Sequence, residues 1–291
     1  MATLHSRFHH LQNFIMQNPQ RPFSVAELAG QAHISPYHFH RLFSAFVGES
    51  VHQYVQRQRL EKAASYLLHQ PHRSITDIAV SLQFSSSANF SRAFANHFQC
   101  SPSAYRRSPC PAQNRKIGKV LIQPLSYAVE LKHCAPVRLA YIRRQSQGNS
   151  QQIANQFAQL NTWAQRHEVA PGALYGVTWF DSHITQSTHW LYDAAMEVNT
   201  TAKECPPVFM QSLPGGQFSI LKSQLRHSQF DTGFQQLWDH LVLDWLPTSG
   251  FEPADQPAYE RYFPVAADVY EVHLCLPICG TNDSPQQRNK P

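Results

Sequence analysis

A five-residue pattern occurs twice in the first hundred positions: Phe39-His40-Arg41-Leu42-Phe43 and Phe90-Ser91-Arg92-Ala93-Phe94. Phe-x-Arg-x-Phe puts two rings one helical turn apart on one face and directs the arginine to the other. Each copy follows a second matched pair, Leu28-Ala29 or Ile78-Ala79, with Ser24 or Ser74 placed to cap that earlier helix. The geometry implied is a pair of helix-turn-helix units. Ala29 and Ala79 allow a close helix crossing, Ile34 and Phe84 plug the angle, and the phenylalanines bury one side of each second helix. A glycine usually stands four residues after such an alanine. His33 and Gln83 stand there instead, so either a left-handed turn forms at a cost of about 1 kcal/mol or the turn differs.

The rest of the chain divides around this repeat. At 291 residues it is long enough for two domains, and 42% hydrophobic with 15% charged residues describes a globular protein. Positive charge is concentrated at the front: residues 1–109 carry a net +6, the remainder −1, and ten of the 17 histidines lie in the first part. A basic domain joined to a near-neutral one suggests a polyanion reader with a separate module. No apolar run is long enough for a membrane span and the N-terminus has no apolar signal core, so a cytoplasmic protein with no membrane partner is expected. The six cysteines form no CxxC pair. Cys275 and Cys279 read as packing thiols, and no metal, disulfide framework or cofactor is expected.

Residues 1–108 read as all-helical, with a rod from Val51 to Leu68 joining the two units and holding them about one DNA turn apart (~34 Å). In that rod Arg57 and Arg59 fall off the apolar side. Pro109 and Pro111 mark a linker over 109–116. From 117 to 279 the order strand–helix–strand–strand appears twice, so the fold class expected is multidomain, α followed by duplicated α+β. Tyr127–Arg143, Gly172–Phe180, Trp190–Val198, and stretches near Phe218, Tyr262 and 269–276 read as strands. Residues 150–167 and 228–245 read as helices. The polar tail 280–291 reads as disordered.

Arg59-Leu60-Glu61-Lys62-Ala63-Ala64, Ile75-Thr76-Asp77-Ile78-Ala79, the second Phe-x-Arg-x-Phe and Ser101-Pro102-Ser103-Ala104-Tyr105-Arg106-Arg107 resemble the signature of the AraC/XylS family of bacterial transcription regulators. The resemblance implies a seven-helix domain binding promoter DNA, and its position ahead of a larger domain is similar to the Rob-like subgroup. It places DNA contacts at Tyr37, His40 and Arg41, and at Ser87, Ala88, Asn89 and Arg92. The chemistry agrees: arginine pairs with guanine, asparagine with adenine, and a ring stacks on a thymine methyl. Contact with phosphate alone is the alternative for either arginine. The expected partners are double-stranded promoter DNA and RNA polymerase.

In the second half, Ser212-Leu213-Pro214-Gly215-Gly216-Gln217-Phe218, Asp244-Trp245-Leu246-Pro247 and Tyr259-Glu260-Arg261-Tyr262 resemble the gyrase-inhibitor-like effector-binding domain. That resemblance implies two pseudo-symmetric modules with a small-molecule groove between them, and Glu260 as the acid in it. All five tryptophans lie in this half. An aromatic cleft with one poorly solvated carboxylate suits a hydrophobic cation. Tyr175, Trp190, Tyr192, Phe218 and Tyr262 are the candidate walls, and Glu197 is the competing internal acid. A regulator sensing a small hydrophobic, optionally cationic, effector is expected, and not an enzyme. The alternatives are a regulatory-partner module, a purely structural one, or a hydrolase using a glutamate base with tyrosine assistance. His183 and His189 read as loop residues.

Overall fold

The computed structural model describes residues 3–108, 127–145, 150–179 and 184–280. These form two compact units. One holds the residues to Ser108 with Ile184 and Thr185, the other the remaining described residues from Tyr127 to Gly280. The expected linker at 109–116 and the tail beyond Gly280 lie outside the described residues.

The first unit has seven helices: α1 (Leu4–Gln17), α2 (Val25–Gln31), α3 (Pro36–Val47), α4 (Val51–His69), α5 (Ile75–Ser81), α6 (Ser87–Phe98) and α7 (Pro102–Arg107). The starts are set by side-chain caps. Ser24, Ser74, Ser86 and Ser101 each accept a hydrogen bond from the backbone N–H three residues on, while Ser50 and Gln53 form a reciprocal capping box. Ser35 makes no side-chain cap, and Pro36 starts α3 by its fixed φ instead.

Both turns adopt the left-handed alternative. His33 has φ 50° and Gln83 φ 64°. In each, the third residue past the helix closes a Schellman motif: Ile34 N donates to Ala29 O (2.9 Å) and Phe84 N to Ala79 O (3.0 Å). The two extra backbone hydrogen bonds per turn offset the strain of a side chain in this region. Because that strain persists, Gln83→Gly is expected to raise stability by about 0.5–1 kcal/mol without moving either helix. A denaturant titration showing no gain would mean that Gln83 makes compensating contacts.

Two cores result. Phe8, Leu11, Leu28, Phe39 and Phe43 pack with Tyr54 from the start of α4. Ile78, Phe90, Phe94 and Tyr105 pack with Leu60, Ala64 and Leu67 from its end. The rod therefore gives one end to each helix-turn-helix. Arg57, off the apolar side of the rod, is nonetheless buried: Glu49 (2.5 Å), just before α4, and Glu61 (3.2 Å), on it, receive the guanidinium, which lies over the Tyr54 ring.

The second unit is one sheet with strand order β1-β6-β9-β8-β3-β4-β2-β5, antiparallel at every pairing, plus a short β7 (Phe251–Pro253) on β9. The strands are β1 (Val129–Cys134), β2 (Val137–Gln145), β3 (Leu174–Thr178), β4 (Leu191–Glu197), β5 (Phe209–Leu213), β6 (Gly216–Arg226), β8 (Ala258–Ala266) and β9 (Val269–Gly280). Helix α8 (Ser150–Arg166) joins β2 to β3. Helix α9 (Phe230–Asp239) follows β6 and runs into a π-helical stretch, His240–Trp245, and a last turn, Leu246–Ser249. The duplicated modules are thus β2-α8-β3-β4 and β6-α9-β8-β9, meeting at β3 and β8.

Two strands are not legible as separate elements in the sequence. The stretch Tyr127–Arg143 is two strands, broken at Ala135-Pro136, and β5 precedes the second module. They exchange partners: β1 leads the first module yet pairs with β6 of the second, and β5 leads the second yet pairs with β2 of the first. That reciprocal swap covers both outer edges of the duplicated core.

Candidate functional site

On α3 and α6 the phenylalanine pairs are fully buried, ring centroids 5.5 and 5.6 Å apart. Their burial fixes the rotation of each helix, so the opposite faces point outward. Tyr37 is 87% exposed, the most exposed of the large apolar side chains in the described residues. His40 and Arg41 are exposed beside it, and the His40 ring lies 5.9 Å from that of His52 on α4. On α6, Ala88, Asn89 and Arg92 are exposed and Ser87 is half-buried. Asn89 Nδ2 donates to Ser85 Oγ at 2.7 Å, a bond that must be exchanged if its amide reads a base. All seven sequence-derived positions lie on the two second helices, and none is needed to hold them together.

In the second unit Glu260 is 6% exposed. Its two oxygens accept from three aromatic donors: Trp238 Nε1 to Oε1 (2.9 Å), and Tyr262 OH (2.5 Å) and Tyr192 OH (3.3 Å) to Oε2. The Tyr192 hydroxyl also lies 2.8 Å from that of Tyr262, so its one proton is shared between the Tyr262 oxygen and Glu260 Oε2. Phe157 of α8 and Phe234 of α9 each meet the Tyr262 ring, at 5.6 and 5.8 Å, so the cage lies under both helices at the junction of the modules. Room for it comes from Gly176, the register partner of Glu260 across β3 and β8. A Cβ there would stand 2.0 Å from the Tyr192 hydroxyl and 2.7 Å from Glu260 Oε2.

Burial pushes the Glu260 carboxyl above its ordinary value, against the three hydrogen bonds that favour the anion. The same burial and the adjacent carboxylate raise both tyrosines well above theirs. Among the described residues no cationic side chain pairs with Glu260.

The other candidate walls divide. Tyr192 and Tyr262 are brought to Glu260, and Trp190 is buried just before β4. Tyr175 and Phe218 are not. They lie on the opposite face of the sheet, against Tyr259 (5.6 and 5.1 Å), because successive strand residues alternate faces and Tyr259 precedes Glu260. Glu197, the competing acid, is exposed and reached by Tyr175 OH at 3.5 Å. Trp238 went unrecognised as a partner of Glu260, since α9 and β8 are separate in sequence. The signal available was its spacing of three and four residues from Phe234, Leu241 and Val242, on the apolar side of an amphipathic helix.

Asp193 and Arg143 form a second buried group on the Tyr175 face, which sequence reading missed. Arg143 Nε and Nη2 each bond Asp193 at 2.7 Å, and Trp179 Nε1 (2.6 Å) and Gln211 Nε2 (3.0 Å) complete the shell. Cys275 is buried and Cys279 half-buried, and neither is in a disulfide. Among the described residues no group of three or more His, Cys, Asp or Glu is arranged to hold a metal, and no helix is long and apolar enough to cross a membrane. His189 sits in a short 3-10 turn, and His183 is outside the described residues.

A helical unit with two outward-facing second helices, followed by a duplicated module around a buried acid, defines a DNA-binding domain joined to a ligand-binding one. Residues 28–108 match the helix-turn-helix domain family and residues 127–278 the GyrI-like small molecule binding domain family. The second match spans more than half of the chain. The protein therefore belongs to the GyrI-like family, with an AraC-type helix-turn-helix domain ahead of that domain. The right origin-binding protein of Escherichia coli K12 is 37% identical over 89 residues, 31% of this chain and 30% of that protein. Transcriptional regulator Rob of Salmonella typhimurium is 36% identical over 88 residues, 30% of each. The match spans between 30% and 40% of the length of these curated relatives. Among solved structures, the EcmrR C-terminal domain aligns over 54% of this chain and 100% of that one, with TM-score 0.43 and 10% identity.

Proposed function

We propose that this protein is a sequence-specific transcription regulator that reads promoter DNA with α3 and α6 and senses a small hydrophobic cation at Glu260. The observation that carries the first half is the pair of cation-bearing helix faces left free by the buried phenylalanines. Arg41 and Arg92 are assigned to guanine, Asn89 to adenine, and Tyr37 to a thymine methyl, with His40, Ser87 and Ala88 completing the contact surface. Binding-site selection with Arg92→Ala tests this. Loss of preference at one base pair, worth about 1–3 kcal/mol, is the expected result. Uniform weakening across all sequences would assign Arg92 to phosphate instead. RNA polymerase is the partner that a promoter-bound regulator must recruit or exclude.

The sensing half rests on a carboxylate that is buried among aromatic rings without a counter-cation, the environment in which a lipophilic cation gains most from one ion pair and ring faces. Glu260 is the counter-charge, and Tyr192, Tyr262 and Trp190, with Trp238, are the walls. Tyr175 and Phe218, across the sheet, are assigned to the core. A hydrolase reading is less well supported: the helix-turn-helix domain ahead of this one gives ligand sensing an output that hydrolysis would not need.

Glu260→Gln separates sensing from stability. A carboxyl whose pKa is raised on folding contributes stability below its unfolded value that is lost as pH rises through the folded value. The variant is therefore expected to melt above the parent protein at pH 8, with the gap closing below about pH 4, where both side chains are neutral. Its thermal shift with tetraphenylphosphonium should vanish. Retention of that shift would remove Glu260 from the site.

A further inference from the structure

A groove of about 560 Å³ lies between the two helix-turn-helix units, within the range of small-ligand sites. Its apolar lining comes from Phe23, Val25 and Val55 on the first helix-turn-helix and the rod, and from Phe84 and Ala93 on the second. These rings are held from behind: Phe23 packs on Phe14 and Phe84 on Phe90 (5.6 and 5.1 Å). The rim is polar and of one sign. Arg59, Arg92 and His52 line it with Gln56 and Asn89, and no carboxylate contributes to the lining.

The two arginines are held differently. Arg59 Nε and Nη2 donate to the carbonyls of Pro19 (3.1 Å) and Arg21 (2.9 Å), which fixes its charge on one wall. Arg92, on α6, also lines the groove and makes no hydrogen bond or ion pair among the described residues. Two guanidiniums, one anchored and one without a partner among the described residues, share a groove with apolar side chains and match a molecule with one anionic head and an apolar body. A phosphodiester would satisfy the rim but leave the apolar lining unmatched, and a cation would find no counter-charge.

We propose that this groove binds an amphipathic monoanion, an alkyl or aryl carboxylate, and that its occupant withholds Asn89 and Arg92 from DNA. Binding stands independently of the DNA assignment; only the antagonism rests on it. The occupant touches both units at once and therefore also fixes their relative placement, to which two simultaneous major-groove contacts are sensitive.

The test uses the full chain with 4-benzoylbenzoate, an aryl carboxylate that cross-links on illumination, in the absence of DNA. Saturable labelling is expected in peptides spanning 51–59 and 83–96. Gln56→Trp, a rim substitution on an exposed helix position, should fill the groove and abolish that labelling. Arg92→Gln should weaken it about fivefold, the loss of one exposed ion pair. A fluorescent target duplex should be displaced in proportion to occupancy. Labelling confined to residues beyond 127, or labelling unchanged in both variants, overturns the site. Saturated labelling with undisturbed duplex affinity overturns the antagonism while leaving DNA reading intact.

Discussion

Gly176→Ala is expected to destabilise the second domain by about 3 kcal/mol and to lower its melting temperature by roughly 10 °C. The added methyl would overlap the Tyr192 hydroxyl and press on Glu260 Oε2. Neither has an easy retreat, because the hydroxyl is held by Tyr262 and the carboxylate by Trp238. Adding Tyr192→Phe to Gly176→Ala removes the nearest clashing atom and should recover part of the loss. Thermal melts of the two variants check this. A Gly176→Ala protein within 1 kcal/mol of the parent would show that the cage is looser than its hydrogen bonds imply.

A larger effect is expected at Asp193→Ala, about 4 kcal/mol in urea titration at neutral pH. Asp193 is fully buried, and removing it takes away the carboxylate that accepts from Arg143 Nε and Nη2, Trp179 Nε1 and Gln211 Nε2. Deleting one partner of a buried ion pair costs far more than the pair contributes. Replacing both partners, Arg143→Met with Asp193→Leu, should therefore recover most of the stability lost in the single variant. If the double variant is as unstable as the single, the pair contributes specific stability and not merely mutual compensation.

The outward faces of α3 and α6 were almost wholly legible in the sequence because they rest on local rules. A Phe-x-Arg-x-Phe repeat on a helix fixes which face is buried, so the identity of the outward residues follows without any long-range contact. The cage was legible only in part. Glu260 and Tyr262 share a strand and Tyr192 lies on another, but Trp238 reaches them from a helix, and no local pattern joins it to them. Parity along the strands removed Tyr175 and Phe218: their aromatic character marked them as candidates, and the pleat placed them on the far face. Arg57 followed the same logic on a helix, where the carboxylates of Glu49 and Glu61 made burial of a charge tolerable.

By itself the sequence determined the two helix-turn-helix units, their caps, their outward residues and the duplicated module, all of which depend on neighbours within a few turns or on a repeat. Tertiary structure alone decided that β1 and β5 trade partners between modules, and that Gly176 makes room for an acid on the adjacent strand. Those outcomes depend on atoms far apart in the chain, where closure of a sheet and exclusion of water, not local preference, select the arrangement.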